Sequence, residues 1–216
     1  MQVVLVGRDK GKDTTVPAPY SPGRPRSPEG LIRVLEAEGI RDRRVLAAFG
    51  EVPRARFVPP AAAGQAYLDT PIRIPQGQVT TGLGFQTAIL ARLASKMVSV
   101  ERFPAPAAHA RANLAAIGLG RVRVAVGDGT VGVPEHAPYQ AIVVSAASPC
   151  VPAPPVEQLA PGGRLVHPVG PGGREQVTAF HKEAGQLVVD TWLTPAYFAP
   201  LVGTHGIRSR EGPGGR

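Results

Sequence analysis

The chain has 216 residues, enough for one substantial core and few for two. Its hydrophobic content of 43% is ordinary for a soluble protein, and no uninterrupted apolar run approaches the length of a bilayer span. The balance of 24 basic against 16 acidic residues gives a net charge of +8. The basic residues are mostly scattered arginines without aromatic interleaving, so nucleic acid is not an expected partner, nor is a membrane.

Gln2 to Val6 is a short β-favouring run that meets Gly7. The opening residues lack the basic start and apolar stretch of a signal peptide, so a cytoplasmic protein is expected. RDKGKDTTVPAPYSPGRPRSP follows, too rich in proline, glycine and charge to bury a core by itself. Residues 1–28 are therefore expected to form a largely flexible extension. From Glu29 the apolar spacing turns helical: Leu31, Ile32, Val34 and Leu35, then Val45, Leu46 and Phe49, with a break at Gly39 to Asp42. Asp42 is placed to cap the second helix.

Prolines at 53, 59 and 60 predict that this helix stops and an extended segment begins. A loop-rich stretch from Ala66 to Thr81 contains Asp69 and a Gln-Gly-Gln turn. Such loops often carry substrate contacts, although a plain surface connection has the same composition. Gly82-Leu83-Gly84 then opens an apolar-periodic helix through Phe85, Ala88, Ile89 and Leu93. A glycine pair before a helix can present N–H groups to an anion, but a nucleotide loop should also follow an apolar strand, and QGQVTT is not one.

Met97 to Gly129 has the densest pattern. An apolar run ends in Glu101, an alanine-rich helical segment ends at Gly118 and Gly120, and a second run from Val122 to Val126 ends in Gly127-Asp128-Gly129. Ligands of open α/β sheets sit at the carboxyl ends of the strands, where an acid can accept ribose hydroxyls and glycines permit close approach. An ordinary β-α-β unit with an exposed acid and a Gly-Asp-Gly turn fits the same letters. Further on, Ala141 to Val144 reads as a buried strand introduced by Tyr139, and PPVEQ as a short helix. Arg164 to Val169 reads as a strand and Gln176 to Leu193 as a hairpin turning at Glu183-Ala184-Gly185. The tail from Thr204 is expected to be flexible. Cys150, the only cysteine, excludes an internal disulfide and is expected to be a buried small hydrophobe. The five histidines lack metal-ligand spacing and are expected to be structural or exposed, so no metal site is expected. The fold class is α/β: a mostly parallel sheet, helices on both faces, and an antiparallel C-terminal hairpin.

The phrases VPRARFVP, AYLDTPIRI, GQVTT, GFQTAILARLA, VSVERF, GDGTVGVPEHAPYQAIVVSAASP, QLAPGGRLVHPVG and FAPLVG occur in one order across Leu31 to Gly203. Together they resemble the protein-L-isoaspartate O-methyltransferases. The resemblance implies a Rossmann-like class I methyltransferase domain over residues 29–203, S-adenosylmethionine as cofactor, and methylation of isoaspartyl carboxylates in damaged proteins or peptides. A monomer is expected. Carried over by position, Glu101 looks like the ribose-binding acid, Asp128 with Gly129 the adenine-contacting pair, and Gly82 and Gly84 the later glycines of the cofactor loop. Thr81 falls where the family usually has a serine facing the substrate carboxylate, and Asp69 lies in the substrate-side loop. Threonine keeps the hydroxyl but adds a methyl group and stiffens χ1.

Two departures stand out. Gln140 follows Tyr139 where the family typically has an acid. More seriously, GQVTT runs straight into GLGFQ, where the family has a helix and then the central strand ending in an acid and the first cofactor-loop glycine. The sheet can close by pairing the two neighbours directly, by recruiting Gln2 to Val6 into the vacancy, or not at all. Alternative functions are a non-catalytic peptide-binding relative with a degenerate cofactor site, or a methyltransferase for another carboxylate.

Overall fold

The computed structural model describes residues 2–7, 25, 27–67, 72–74, 78–80, 84–171 and 173–208. Their contacts divide into two units. One takes in the described residues of Met1–Leu5, Val100–Phe103 and Ala125–Arg216, and the other those of Val6–Ser99 and Pro104–Val124.

In the second unit, helix α1 spans Pro28–Ala37 and α2 spans Arg43–Glu51. The α1 start is capped by Ser27, whose hydroxyl accepts the Gly30 N–H at 3.1 Å, with Pro28 at the first position, where its missing N–H costs nothing. It ends at Gly39, whose φ of 88° permits the paired bonds Gly39 N–H to Glu36 O and Ile40 N–H to Leu35 O. Asp42 caps α2 as its sequence position predicts, accepting from the N–H groups of Arg44 at 2.8 Å and Val45 at 3.4 Å.

The segment after α2 differs from the extended one expected. Prolines do end the helix, but the chain then winds into two 3₁₀ turns, Arg54–Phe57 and Pro60–Gln65. The fixed φ of proline suits the first residue of such a turn as well as a strand, and burial of Phe57 decides between them. Strands β2 (Ile72–Ile74) and β3 (Gln78–Thr80) form a small antiparallel pair within the stretch expected to be loop. Helices α3 (Phe85–Leu93) and α4 (Pro104–Ala116) join α2 around a core of Ala48, Val52, Phe85, Ala107, Leu114 and neighbours. Phe85 meets the rings of Phe49 and Phe57 edge-on, each at 5.9 Å. The alanines of α4 fit this packing because a slim helix face lets a neighbour approach. Gly118 closes α4 in the left-handed conformation, as Gly39 closes α1.

The sheet runs β5-β4-β1-β6-β7-β8-β9. Its strands are β1 (Gln2–Gly7), β4 (Lys96–Glu101), β5 (Arg123–Val126), β6 (Tyr139–Val144), β7 (Leu159–Val169), β8 (Glu175–Glu183) and β9 (Gln186–Ala196). The N-terminal run thus stands between β4 and β6, at the sheet's interior. Of the three outcomes that the missing central strand allows, the structure shows recruitment of Gln2–Gly7. Strand β6 pairs with β7 in parallel, and β7, β8 and β9 follow antiparallel. The β8–β9 hairpin turns at Ala184 and Gly185, with φ of 49° and 84°, the two-residue turn that matches strand twist. Lys182 on β8 reaches the end of helix α5 (Ala153–Glu157), donating to the carbonyls of Val156, Glu157 and Leu159. A cation there satisfies acceptors that the helix itself leaves open. Among the described residues no helix is long and apolar enough to cross a membrane.

Beyond β6 the chain turns through Ser148, Pro149 and Cys150. Cys150 is exposed, contrary to the burial expected. The Ser148 hydroxyl donates to its carbonyl at 2.7 Å and fixes the turn with Cys150 outermost. The same hydroxyl oxygen lies 2.8 Å from Nε2 of His167, a fully buried residue of β7. Since the one hydroxyl proton goes to Cys150, Nε2 carries the imidazole proton, and buried Nδ1 has no partner among the described residues. Burial pushes the His167 pKa down from 6.5 to about 4. The unfolded chain binds a proton on this ring between those values and the folded chain does not, so its contribution to stability is complete above pH 6.5 and is lost toward pH 4. The expected loss totals about 3 kcal/mol, at up to about 1.4 kcal/mol per pH unit. Urea titrations from pH 7 to 4 should show this limb in the wild type and a flattened one in His167→Leu; equal slopes would refute it.

Candidate active site

The first unit brings together Glu101, Asp128 and Gly129. Strand β4 buries Val98, Ser99, Val100 and Glu101 in succession, the pattern of a strand covered on both sides, so its last residue is held firmly. Glu101 is 8% exposed, and its Oε1 accepts the Phe103 N–H at 3.0 Å. Gly127, just past β5, donates its N–H to the Glu101 carbonyl at 3.0 Å. That bond sets the carboxyl ends of β4 and β5 side by side, so the acid at one end and the Gly-Asp-Gly turn at the other share one edge of the sheet.

The Asp128 carboxylate is well supplied with donors. Oδ1 accepts the Thr130 N–H at 2.9 Å and the Thr130 hydroxyl at 2.7 Å, and Oδ2 accepts the Thr204 N–H at 2.6 Å. Partial burial raises its pKa, but the bonds from Thr130 and Thr204 outweigh burial and hold it below the usual carboxylate value. Gly129 is buried within overlapping turns, Val131 N–H to Asp128 O and Gly132 N–H to Gly129 O. The loop is braced further on by Gln158, which accepts from Val133 N–H at 2.8 Å and donates to Val131 O at 2.7 Å. Tyr139 donates its hydroxyl to Val133 O at 2.6 Å.

Gly84 lies in the second unit, at the start of α3, with φ of 90°. A Cβ there would stand 3.0 Å from the Cβ of Ala110, so close packing of α3 and α4 and the left-handed backbone both require glycine. Asp69, Thr81 and Gly82 lie outside the described residues.

Three residues of this region are not visible as functional in the sequence. Thr130 is only the fourth letter of GDGTVGVPEHAPYQAIVVSAASP, Gly203 is only the last letter of FAPLVG, and Thr204 lies in none of the quoted phrases. Glycine at 203 has a steric cause, because a Cβ there would overlap the Asp128 carboxylate. The acid-then-Gly-Asp-Gly pattern locates Asp128 but carries no sign of what will donate to it.

The chain compares closely with known proteins. The model of the family described as Protein-L-isoaspartate(D-aspartate) O-methyltransferase (PCMT) matches residues 26–81 and 78–206. The two pieces overlap at residues 78–81, the place where the sequence was expected to depart from the family's pattern. A protein-L-isoaspartate O-methyltransferase of Methanoregula boonei is 42% identical over 217 residues, covering 89% of this chain and 98% of its own. Its namesake in Anaeromyxobacter dehalogenans is 45% identical over 190 residues, covering 76% and 91%. Among solved structures, a protein-L-isoaspartate O-methyltransferase superposes with a TM-score of 0.71 at 24% identity, covering 83% of this chain and 67% of that one. A Plasmodium falciparum chain in complex with S-adenosyl-L-homocysteine gives 0.65 at 17% identity, covering 82% and 98%. These likenesses confirm the Rossmann-like α/β fold, and the family match with the identity to relatives settles the rest: the chain belongs to the protein-L-isoaspartate(D-aspartate) O-methyltransferase family.

Proposed function

We propose that this chain methylates isoaspartyl carboxylates in proteins or peptides, with S-adenosylmethionine held at the joined ends of β4 and β5. The observation that carries this reading is the pairing of Glu101 with the Asp128–Gly129 turn across the bond from Gly127 to the Glu101 carbonyl. The donor set suits a nucleoside: a buried carboxylate for the ribose hydroxyls beside a tight glycine-flanked turn for the base. When bound, the cofactor supplies a methyl group already activated on a sulfonium.

The remaining work falls to positioning. Glu101 orients the ribose, its own carboxylate kept in place by the Phe103 N–H. The substrate carboxylate is ionised at neutral pH and is itself the nucleophile, so the chain need not supply a strong base. Thr81 is proposed to hold one substrate oxygen through its hydroxyl, with Asp69 on the substrate side. In-line alignment and exclusion of water supply most of the rate.

The test is calorimetric titration with S-adenosylhomocysteine followed by methylation of paired isoaspartyl and aspartyl peptides. Micromolar binding and methyl transfer to the isoaspartyl peptide alone are the expected results. Transfer to both peptides would point to a different carboxylate, and a folded protein that binds nothing would refute the proposal.

A further inference from the structure

The chain after β9 returns to the carboxyl end of the sheet and is fastened there at two places. At the β6 side, Ala147 donates to Ala199 O at 2.9 Å and Leu201 donates to Ala147 O at 2.7 Å, with Leu201 fully buried. At the β5 side, Thr204 donates to Asp128 Oδ2, and His205 N–H donates to Thr130 Oγ1 at 3.1 Å. Strands β5 and β6 flank β4 and β1 in the sheet, so these two anchors lie on either side of the strand that ends in Glu101. The turn closes on itself through Ile207 N–H to Leu201 O at 2.7 Å and Gly206 N–H to Gly203 O at 3.2 Å.

Steric detail shows how closely the two pieces fit. A Cβ on Gly203 would overlap the Asp128 carboxylate, and one on Gly206 would overlap the Leu201 carbonyl and stand 3.0 Å from Cγ2 of Thr130. Thr130 is fully buried beneath them and uses its hydroxyl in both directions, donating to Asp128 and accepting from His205. One side chain therefore links the loop after β5 to the C-terminal turn.

We propose that the C-terminal turn Gly203–Ile207 is a clasp on the cofactor loop: through Thr130 it holds Asp128 in the orientation that receives the cofactor, so that docking of the turn and cofactor binding are coupled. Thr130 and the Thr204 and His205 amides are then positioning elements that act through Asp128. The inference rests on the cofactor reading of Asp128 and Gly129. Coupling is reciprocal: whatever the docked turn adds to cofactor affinity, the bound cofactor adds to docking.

Two measurements test it. In the intact wild-type protein, saturating S-adenosylhomocysteine should slow hydrogen exchange at the Thr204 and His205 amides by about 5-fold or more; unchanged exchange overturns the coupling. In Thr130→Val, which keeps the shape and loses both hydroxyl bonds, S-adenosylhomocysteine affinity should fall about 5- to 30-fold. Thr130→Ser should restore it to within about 3-fold. A clasp that merely stabilised the fold would lower the melting temperature of Thr130→Val and leave its affinity unchanged, and that result overturns the proposal. Failure of the wild type itself to bind would refute the cofactor assignment, and this proposal with it, whereas wild-type binding matched by Thr130→Val would refute the clasp alone.

Discussion

Deleting Gln2–Gly7 should lower the melting temperature by about 10 °C or more, or leave a chain that does not fold. The segment stands between β4 and β6, so its loss exposes the ladder groups of both neighbours at once. Each buried group left without a partner costs roughly 1–3 kcal/mol. Typical domains are stable by only about 5–15 kcal/mol, and for a chain of this size about 1 kcal/mol moves the melting temperature by about 2–4 °C. Three or four orphaned groups therefore suffice for the expected shift. Calorimetric or circular dichroism melting of the truncated and full chains measures it directly. An unchanged midpoint would show that β4 and β6 close on each other without the N-terminal strand. The deletion lies well away in sequence from every matched motif, so a large effect has no explanation in the family's own pattern.

Glu101→Gln should weaken S-adenosylhomocysteine binding by about 10- to 100-fold with a melting temperature within about 2 °C of wild type. The amide keeps an oxygen for the Phe103 N–H, so the local turn survives. What it loses is the charge and one acceptor, and hydrogen bonds to charged groups contribute roughly 1.5–3 kcal/mol each. A ribose presenting two hydroxyls to a carboxylate would lose at least one such bond. Titration calorimetry on the two proteins side by side gives the ratio. Affinity retained within about 3-fold would mean that Glu101 serves only to end β4 and start the turn into α4.

The deletion and the substitution separate the chain's architecture from its chemistry. The first removes a strand and leaves every proposed ligand-holding residue in place; the second removes one charge and leaves the sheet in place. A methyl-transfer assay on each variant then shows whether activity follows the sheet or the carboxylate.

The sequence by itself determined the local elements and the family. Helices α1 and α2 were legible because apolar spacing, Asp42 and Gly39 act over four or five residues, and the β8–β9 hairpin because Ala184-Gly185 is a purely local turn. Glu101 and Asp128 were legible because each closes an apolar run, and a strand end is visible in the letters around it. Only the tertiary structure decided the rest. That Gln2–Gly7 enters the sheet depends on a vacancy created some 75 residues later, which no window of sequence contains. That Cys150 faces outward depends on the Ser148 hydroxyl, itself held beside His167 from another strand. Asp128 takes one of its three donors from Thr204, 76 residues away, and Gly203 is glycine because of that approach. Propensity and capping act between neighbours in the chain, whereas vacancy, burial and hydrogen-bond supply are properties of what the fold brings together.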